Sequence, residues 1–174
     1  MFFAGKGATM RWSLDKVDKL NGDSKLIGVE IGVSEGENAR DILQNMNIKM
    51  LYAVDVWDEY HDHGKRTTER FLSKVYEEFW NDVNIKIVKL DSVSASKMFK
   101  DNSVDFVYID GNHSYKFVLK DIESWLPKIK EGGVLCGHDY KKDVLEAVTD
   151  LFGEVQHGTC QNGDEDWMII KNIK

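Results

Sequence analysis

The sequence is short of several things, and each shortage excludes a class of protein. It holds two cysteines, Cys136 and Cys160, too few for a disulfide framework. Cys136 lies in an apolar run and reads as a core residue, so a reducing, cytoplasmic setting is expected. No apolar stretch is long enough to span a bilayer, and the opening MFFAGKGATMRW lacks the apolar centre of an export signal. No membrane partner is expected. Basic residues are outnumbered, 23 Lys and Arg against 30 Asp and Glu, for a formal net charge of -7. An acidic surface opposes a phosphate backbone, which argues against nucleic acid as substrate. There is no internal repeat and no low-complexity tract. The single proline, Pro127, falls just past a helical segment. What is present is 174 residues, 42% hydrophobic and 30% charged, the balance of a soluble globular protein. That length reads as one domain over residues 1–174, with residues 1–24 as an N-terminal helical cap.

The stretch from Leu26 to Gly36, LIGVEIGVSEG, organises the rest. A short apolar run breaks into small residues at Gly32, Ser34 and Gly36. A helical segment then places Ala39, Ile42, Leu43 and Met46 on one face. Buried strand, glycine turn and helix start make the first βα unit of a doubly wound nucleotide-binding sheet. The glycines allow close backbone approach to a ligand, and the helix start offers unpaired N–H groups beside it. The spacing is E-x-G-x-x-x-G, with Glu30 just before the turn, and not the dinucleotide pattern G-x-G-x-x-G. That acid repels a pyrophosphate and tolerates a cationic or amino-acid-bearing ligand. The unit points to S-adenosylmethionine more than to NAD.

Before this unit, Ser13 is placed to cap a short helix that Gly22 stops. After it, the run Met50–Val54 ends at Asp55, about 19 residues beyond Gly36, where nucleotide-binding folds put an acid on the ribose. The loop VWDEYHDHG follows. His61-Asp62-His63 in it reads as a solvated loop or lid, because adjacent loop positions converge on one ion only with outside help. A helix over about Thr67 to Trp80 carries an apolar stripe. The strand from Ile85 ends in Asp91-Ser92, which can receive an adenine amino group or cap the next helix. Two further strands end in D-x-x-H (Asp110, His113) and H-D (His138, Asp139). Ligands of open α/β sheets bind outside the carboxyl ends of the strands, so these four converge on one crevice. Ser114 is placed to cap the helix after His113. A helix from Asp143 to Phe152 and a strand pair close the chain, the last strand antiparallel at or near the sheet edge.

With these residues in view, the chain from about Leu26 to Ile170 resembles the Rossmann-like S-adenosylmethionine-dependent methyltransferases. It is most similar to the group carrying I-D-G-x-H-x-Y, here Ile109 to Tyr115, and G-G-V-L-x-x-H-D, here Gly132 to Asp139. The resemblance implies an α/β fold with a doubly wound, mostly parallel seven-stranded sheet and an antiparallel last strand. It implies that Glu30, Gly32, Ser34 and Gly36 lie along the methionine part, Asp55 on the ribose, and Asp91 with Ser92 at the adenine. It further implies a divalent metal, magnesium or manganese, on Asp110, His138 and Asp139, with His113 as general base. His138 stands where the group carries an acid, which points to a softer metal or to none.

Methyl transfer from a sulfonium needs an in-line nucleophile and removal of its proton, and His113 beside two acids suits a metal-acidified hydroxyl. A neutral His113 is expected from its place at a helix start. No N-P-P-Y run follows the fourth strand. The expected partner is a small hydroxylated acceptor such as a sugar, with homo-oligomer formation left open. The rival readings are a nucleoside-binding or regulatory module without catalysis, and a nicotinamide-dependent oxidoreductase.

Overall fold

The computed structural model describes residues 10–58, 65–160 and 163–172. Helices and strands alternate in the order α1 (Trp12–Asn21), β1 (Leu26–Ile31), α2 (Glu37–Asn45), β2 (Ile48–Asp55), α3 (Lys65–Phe79), β3 (Ile85–Lys89), α4 (Ser92–Ser96), β4 (Val104–Ile109) and α5 (Tyr115–Trp125). A single 3₁₀ turn at Leu126–Lys128, holding Pro127, leads into β5 (Ile129–Gly137). The chain ends with α6 (Lys142–Phe152), β6 (Gln156–Thr159) and β7 (Glu165–Ile170). The seven strands form one sheet in the order β3-β2-β1-β4-β5-β7-β6. Only β7 runs antiparallel, to β5 on one side and β6 on the other. It is therefore the last strand but not the edge, which falls to β6.

The sheet is covered on both faces, and the strands of its middle alternate accordingly. Phe106, Tyr108, Cys136 and Met168 pack with Leu14, Ile42 and Val75 of α1 to α3. Their chain neighbours Val107, Ile109, Leu135 and Trp167 pack with Ile122, Trp125 and Val148 of α5 and α6. Glu30 belongs to the first face and is 1% exposed. Among the described residues no helix is long and apolar enough to cross a membrane.

The first helix departs from its expected capping. It begins at Trp12, and Ser13 lies inside its first turn. The backbone N–H and hydroxyl of Ser13 both donate to Asp166 Oδ2, at 3.1 and 2.7 Å. A carboxylate from β7 thus serves a helix start that sequence assigned to a local serine. The same carboxylate accepts from the Tyr108 hydroxyl at 3.1 Å and is wholly buried. The indole of Trp12 lies flat against β6, where a Cβ on Gly158 would fall 2.4 Å from the ring. Ser114 does stand at the cap position of α5, but its hydroxyl bonds Asn112 Oδ1 and makes no capping bond.

Asp166→Ala would leave the Ser13 and Tyr108 hydroxyls without an acceptor, at about 1–3 kcal/mol for each unsatisfied donor. We expect a melting temperature lower by roughly 5–10 °C, read by circular dichroism. A fall of under about 2 °C would show that α1 is not held by this carboxylate.

Candidate functional site

The direction of winding changes between β1 and β4, and the loops after β1 to β5 gather around that point. Gly32 lies at the centre, with φ of 85°. A Cβ there would fall 2.2 Å from the Asp110 carbonyl oxygen, so glycine is demanded first by the neighbouring loop and only then by any ligand. Asp55 fixes the turn that follows. Its Oδ2 accepts from the amides of Val33 and Ser34 at 2.9 and 3.0 Å, and its Oδ1 from that of Trp57 at 2.9 Å. The Trp57 indole donates to the Ser34 carbonyl at 2.9 Å. Gly36 is the N-terminal boundary residue of α2.

Two cavities open on either side of Gly32 and share it. One, of about 350 Å³, has apolar walls that include Ile31, Leu90 and Phe117, and carries Asp55, Asp91 and Asp121. Asp91 is the cap of α4, accepting from the Ser94 amide at 2.9 Å. Ser92 accepts from the Trp125 indole at 2.8 Å and bonds Asp121. Both of the expected adenine partners are thus engaged in holding α4 while they line the cavity. Asp121 is buried, and burial pushes its carboxyl up to about 6 despite the Ser92 hydrogen bond.

The second cavity, of about 500 Å³, is lined by Arg11, Glu30, Ser34, Asn38 and Asp110 among others. Glu30 Oε1 accepts from the Asn38 amide at 3.0 Å, whereas Oε2 and the Asn38 carbonyl oxygen are buried with no hydrogen-bond partner. Desolvation raises the Glu30 carboxyl to about 8, opposed by the Asn38 hydrogen bond. A buried acid beside a cavity, with one oxygen bare, is built for a positively charged or donating group.

Beyond Gly32 the ends of β4 and β5 bring Asp110, His113, His138 and Asp139 together. His113 Nε2 lies 3.3 Å from Asp110 Oδ1, and its Nδ1 3.3 Å from Asp139 Oδ2. One ligand atom from each of these three lies within 4.8 Å of the others, a spacing fit for a cation. His138 is buried, with Nδ1 at 3.6 and 3.5 Å from Asp110 and Asp139 and Nε2 at 3.6 Å from Asp164. Lys141 Nζ sits 2.6 Å from Asp139 Oδ1, and Arg11 3.5 Å from Asp110 Oδ2. Asp139 has φ of 53°, a left-handed conformation that aspartate tolerates. Burial works against its ionisation, but the Lys141 hydrogen bond with His113 and His138 holds its carboxyl below the ordinary value.

The shift at His113 runs opposite to the one expected from a helix start. The hydrogen bond to Asp110, aided by the charges of Asp110 and Asp139, raises the imidazole above its ordinary value. Helix α5 begins at Tyr115, so His113 lies outside its first turn and two carboxylates outweigh the dipole. Sequence reading missed Arg11, Asn38, Asp121 and Lys141. Asp121 carried a signal, an acid inside the apolar stripe of Val118 and Trp125; Arg11 carried none. His61-Asp62-His63 lies outside the described residues.

A family model described as a methyltransferase domain matches residues 29–140. An uncharacterised protein of Acanthamoeba polyphaga mimivirus is 27% identical over 142 residues, 75% of this chain and 61% of that protein. The chain thus spans under two thirds of that relative's length. An rRNA methylase from Streptococcus thermophilus superposes with a TM-score of 0.70 at 15% identity, over 98% of this chain and all of that one. A Streptococcus mutans protein assigned as a methyltransferase, solved with SAH, gives 0.66 at 19% identity over 91% of this chain and 95% of its own. At these identities the structural likeness is one of fold.

The buried acid gives a pH test. The fold favours the protonated Glu30 carboxyl, so its contribution to stability is complete below about 4.5 and is lost as pH rises through about 8. Glu30→Gln keeps the shape without the titration. Urea midpoints measured from pH 5 to 9 should decline less steeply for Glu30→Gln than for the parent chain. Parallel curves would mean that Glu30 is ionised throughout.

Proposed function

Because the chain belongs to the methyltransferase-domain family, whose matched stretch contains Glu30, Asp55, Asp110, His113 and Asp139, we propose that it transfers a methyl group from S-adenosylmethionine to a hydroxyl of a small molecule. A sugar is the acceptor class the motifs favour. The observation that carries the reading is the pair of cavities that share Gly32 in their walls, one suited to a nucleoside and the other to an amino-acid tail. The bare Oε2 of Glu30 fits the ammonium of that tail on its own chemistry. Asp55, Asp91, Ser92 and Asp121 offer acceptors to the hydroxyls and the amino group at the nucleoside end.

When bound, S-adenosylmethionine supplies a methyl group on a sulfonium centre. His113 takes the proton of the acceptor hydroxyl, and Asp110 and Asp139 on either side stabilise the imidazolium so formed. A divalent ion would be held by Asp110 and Asp139 with His138, two carboxylates and one imidazole that favour manganese or a softer ion over magnesium, and would supply Lewis acidity to that hydroxyl, leaving His113 as the base. A second reading, transfer without a metal, is favoured by Lys141 and Arg11, which already balance the two carboxylates.

Calorimetry with SAH tests the reading first. Binding that draws Glu30 into its ionised form releases a proton, so the apparent enthalpy at pH 7 should vary with the ionisation heat of the buffer. Absence of SAH binding at millimolar concentration would overturn the proposal. Transfer of labelled methyl to a panel of sugars, with manganese or with EDTA, then separates the metal-assisted from the metal-free reading. In whichever assay turns over, His113→Ala should lose about 10²–10⁴ in rate with SAH affinity unchanged. Near-native turnover would remove His113 as the base.

A further inference from the structure

We propose that Arg11 binds the carboxylate of the amino-acid tail, so that the second cavity recognises a zwitterion through Arg11 and Glu30 together. The inference rests on the reading above and adds a residue that the family match, residues 29–140, does not contain. The charged residues that line the cavity, among those described, are Glu30, Glu35, Glu37 and Asp110 with Arg11 as the one base, so a carboxylate entering among these acids has a single cation to meet. Glu30 turns a bare, buried Oε2 to it, an anionic partner for an ammonium. An α-amino acid brings an ammonium and a carboxylate held a few ångströms apart, so a cavity that takes only the first leaves the second desolvated. Arg11 is the group able to receive it. Its side chain is about three-quarters buried and its ion pair, to Asp110 Oδ2 at 3.5 Å, is loose, which leaves N–H donors for a bidentate partner.

The position of Arg11 is also fixed from outside the cavity. It stands at the start of α1, and the next two residues are each pinned to the far end of the sheet. Trp12 lies against the backbone of Gly158 in β6, and Ser13 is held through two hydrogen bonds by Asp166 in β7. A long, flexible side chain mounted on so constrained a backbone loses less freedom when it grips a ligand. The anionic half of the tail site therefore comes from β1, and the cationic half from α1 as held by β6 and β7.

The test compares SAH with its decarboxylated analogue, 5′-deoxy-5′-(3-aminopropylthio)adenosine, which keeps the ammonium and lacks the carboxylate. On the parent chain SAH should bind roughly 10- to 150-fold more tightly, the range for charged hydrogen bonds. Arg11→Gln should remove most of that difference by weakening SAH and leaving the analogue within about twofold. Gly158→Ala should do the same from a distance, by displacing Trp12. Equal affinities of the parent chain for the two ligands overturn the assignment of Arg11, and that comparison needs no variant to fold. So does an Arg11→Gln chain that binds SAH as the parent does, the outcome expected if the guanidinium serves an acceptor's carboxylate instead. A parent chain that binds neither ligand overturns the proposed function itself.

Discussion

A carboxylate sealed in the middle of the sheet, with one oxygen bonded to Asn38 and the other to nothing, is the constraint on which the site depends. Glu30 sits on β1, the strand between β2 and β4 where the winding reverses. Desolvation raises its carboxyl to about 8, so a cationic partner seated against it would draw that proton off. The arrangement is costly to the empty fold and useful only in company, the pattern expected where binding has shaped a core position. Around it the other polar groups are already employed: Asp55 on three backbone amides, Asp91 on a helix start, Ser92 on Trp125. These bonds set the loops in place before any ligand arrives, so the cavity walls are pre-organised.

The acid cluster follows a different logic. Asp110 and Asp139 are flanked by the cations Lys141 and Arg11 and by the imidazoles of His113 and His138, so partners reach them from several elements. His138, at a position where a third acid would deepen the demand for a cation, instead supplies imidazole. The cluster can therefore persist without an ion, and an ion entering it has to displace Lys141 or His113 from the oxygens it takes. Such competition makes affinity for a hard cation weaker than the two carboxylates alone suggest.

Much of this was legible in the order of residues. The βα units, the seven strands and the antiparallel course of β7 follow from apolar runs and turn residues, which are local signals. So does the gathering of Asp110, His113, His138 and Asp139, because strand ends of a doubly wound sheet face one crevice. What escaped was set by partners far away in sequence. Ser13 looked like a helix cap because nothing local shows Asp166. The direction of the shift at His113 was missed because a helix start is visible in sequence and two flanking carboxylates at 3.3 Å are not. Arg11 has no signature at all; only the folded chain carries it to Asp110. Asp121 was visible as an acid in an apolar stripe and was passed over, since a stripe reads first as core.

The clamp between Ser13 and Asp166 joins positions 153 residues apart. A ribosome releases the first of them long before the second exists. Until β7 emerges, then, α1 lacks this anchor, the Tyr108 hydroxyl lacks this acceptor, and Arg11 has no fixed place beside β1 and β4. β6 shares that wait, because among the described residues its strand partner is β7 alone. The family-matched body of the sheet can form first, with its acid cluster and Glu30 in place, and the arginine side of the crevice is added only when β7 slots between β5 and β6. Folding of the arginine side of the crevice is thus paced by β7: until that strand is in the sheet, Arg11 lacks the clamp that sets α1 in place.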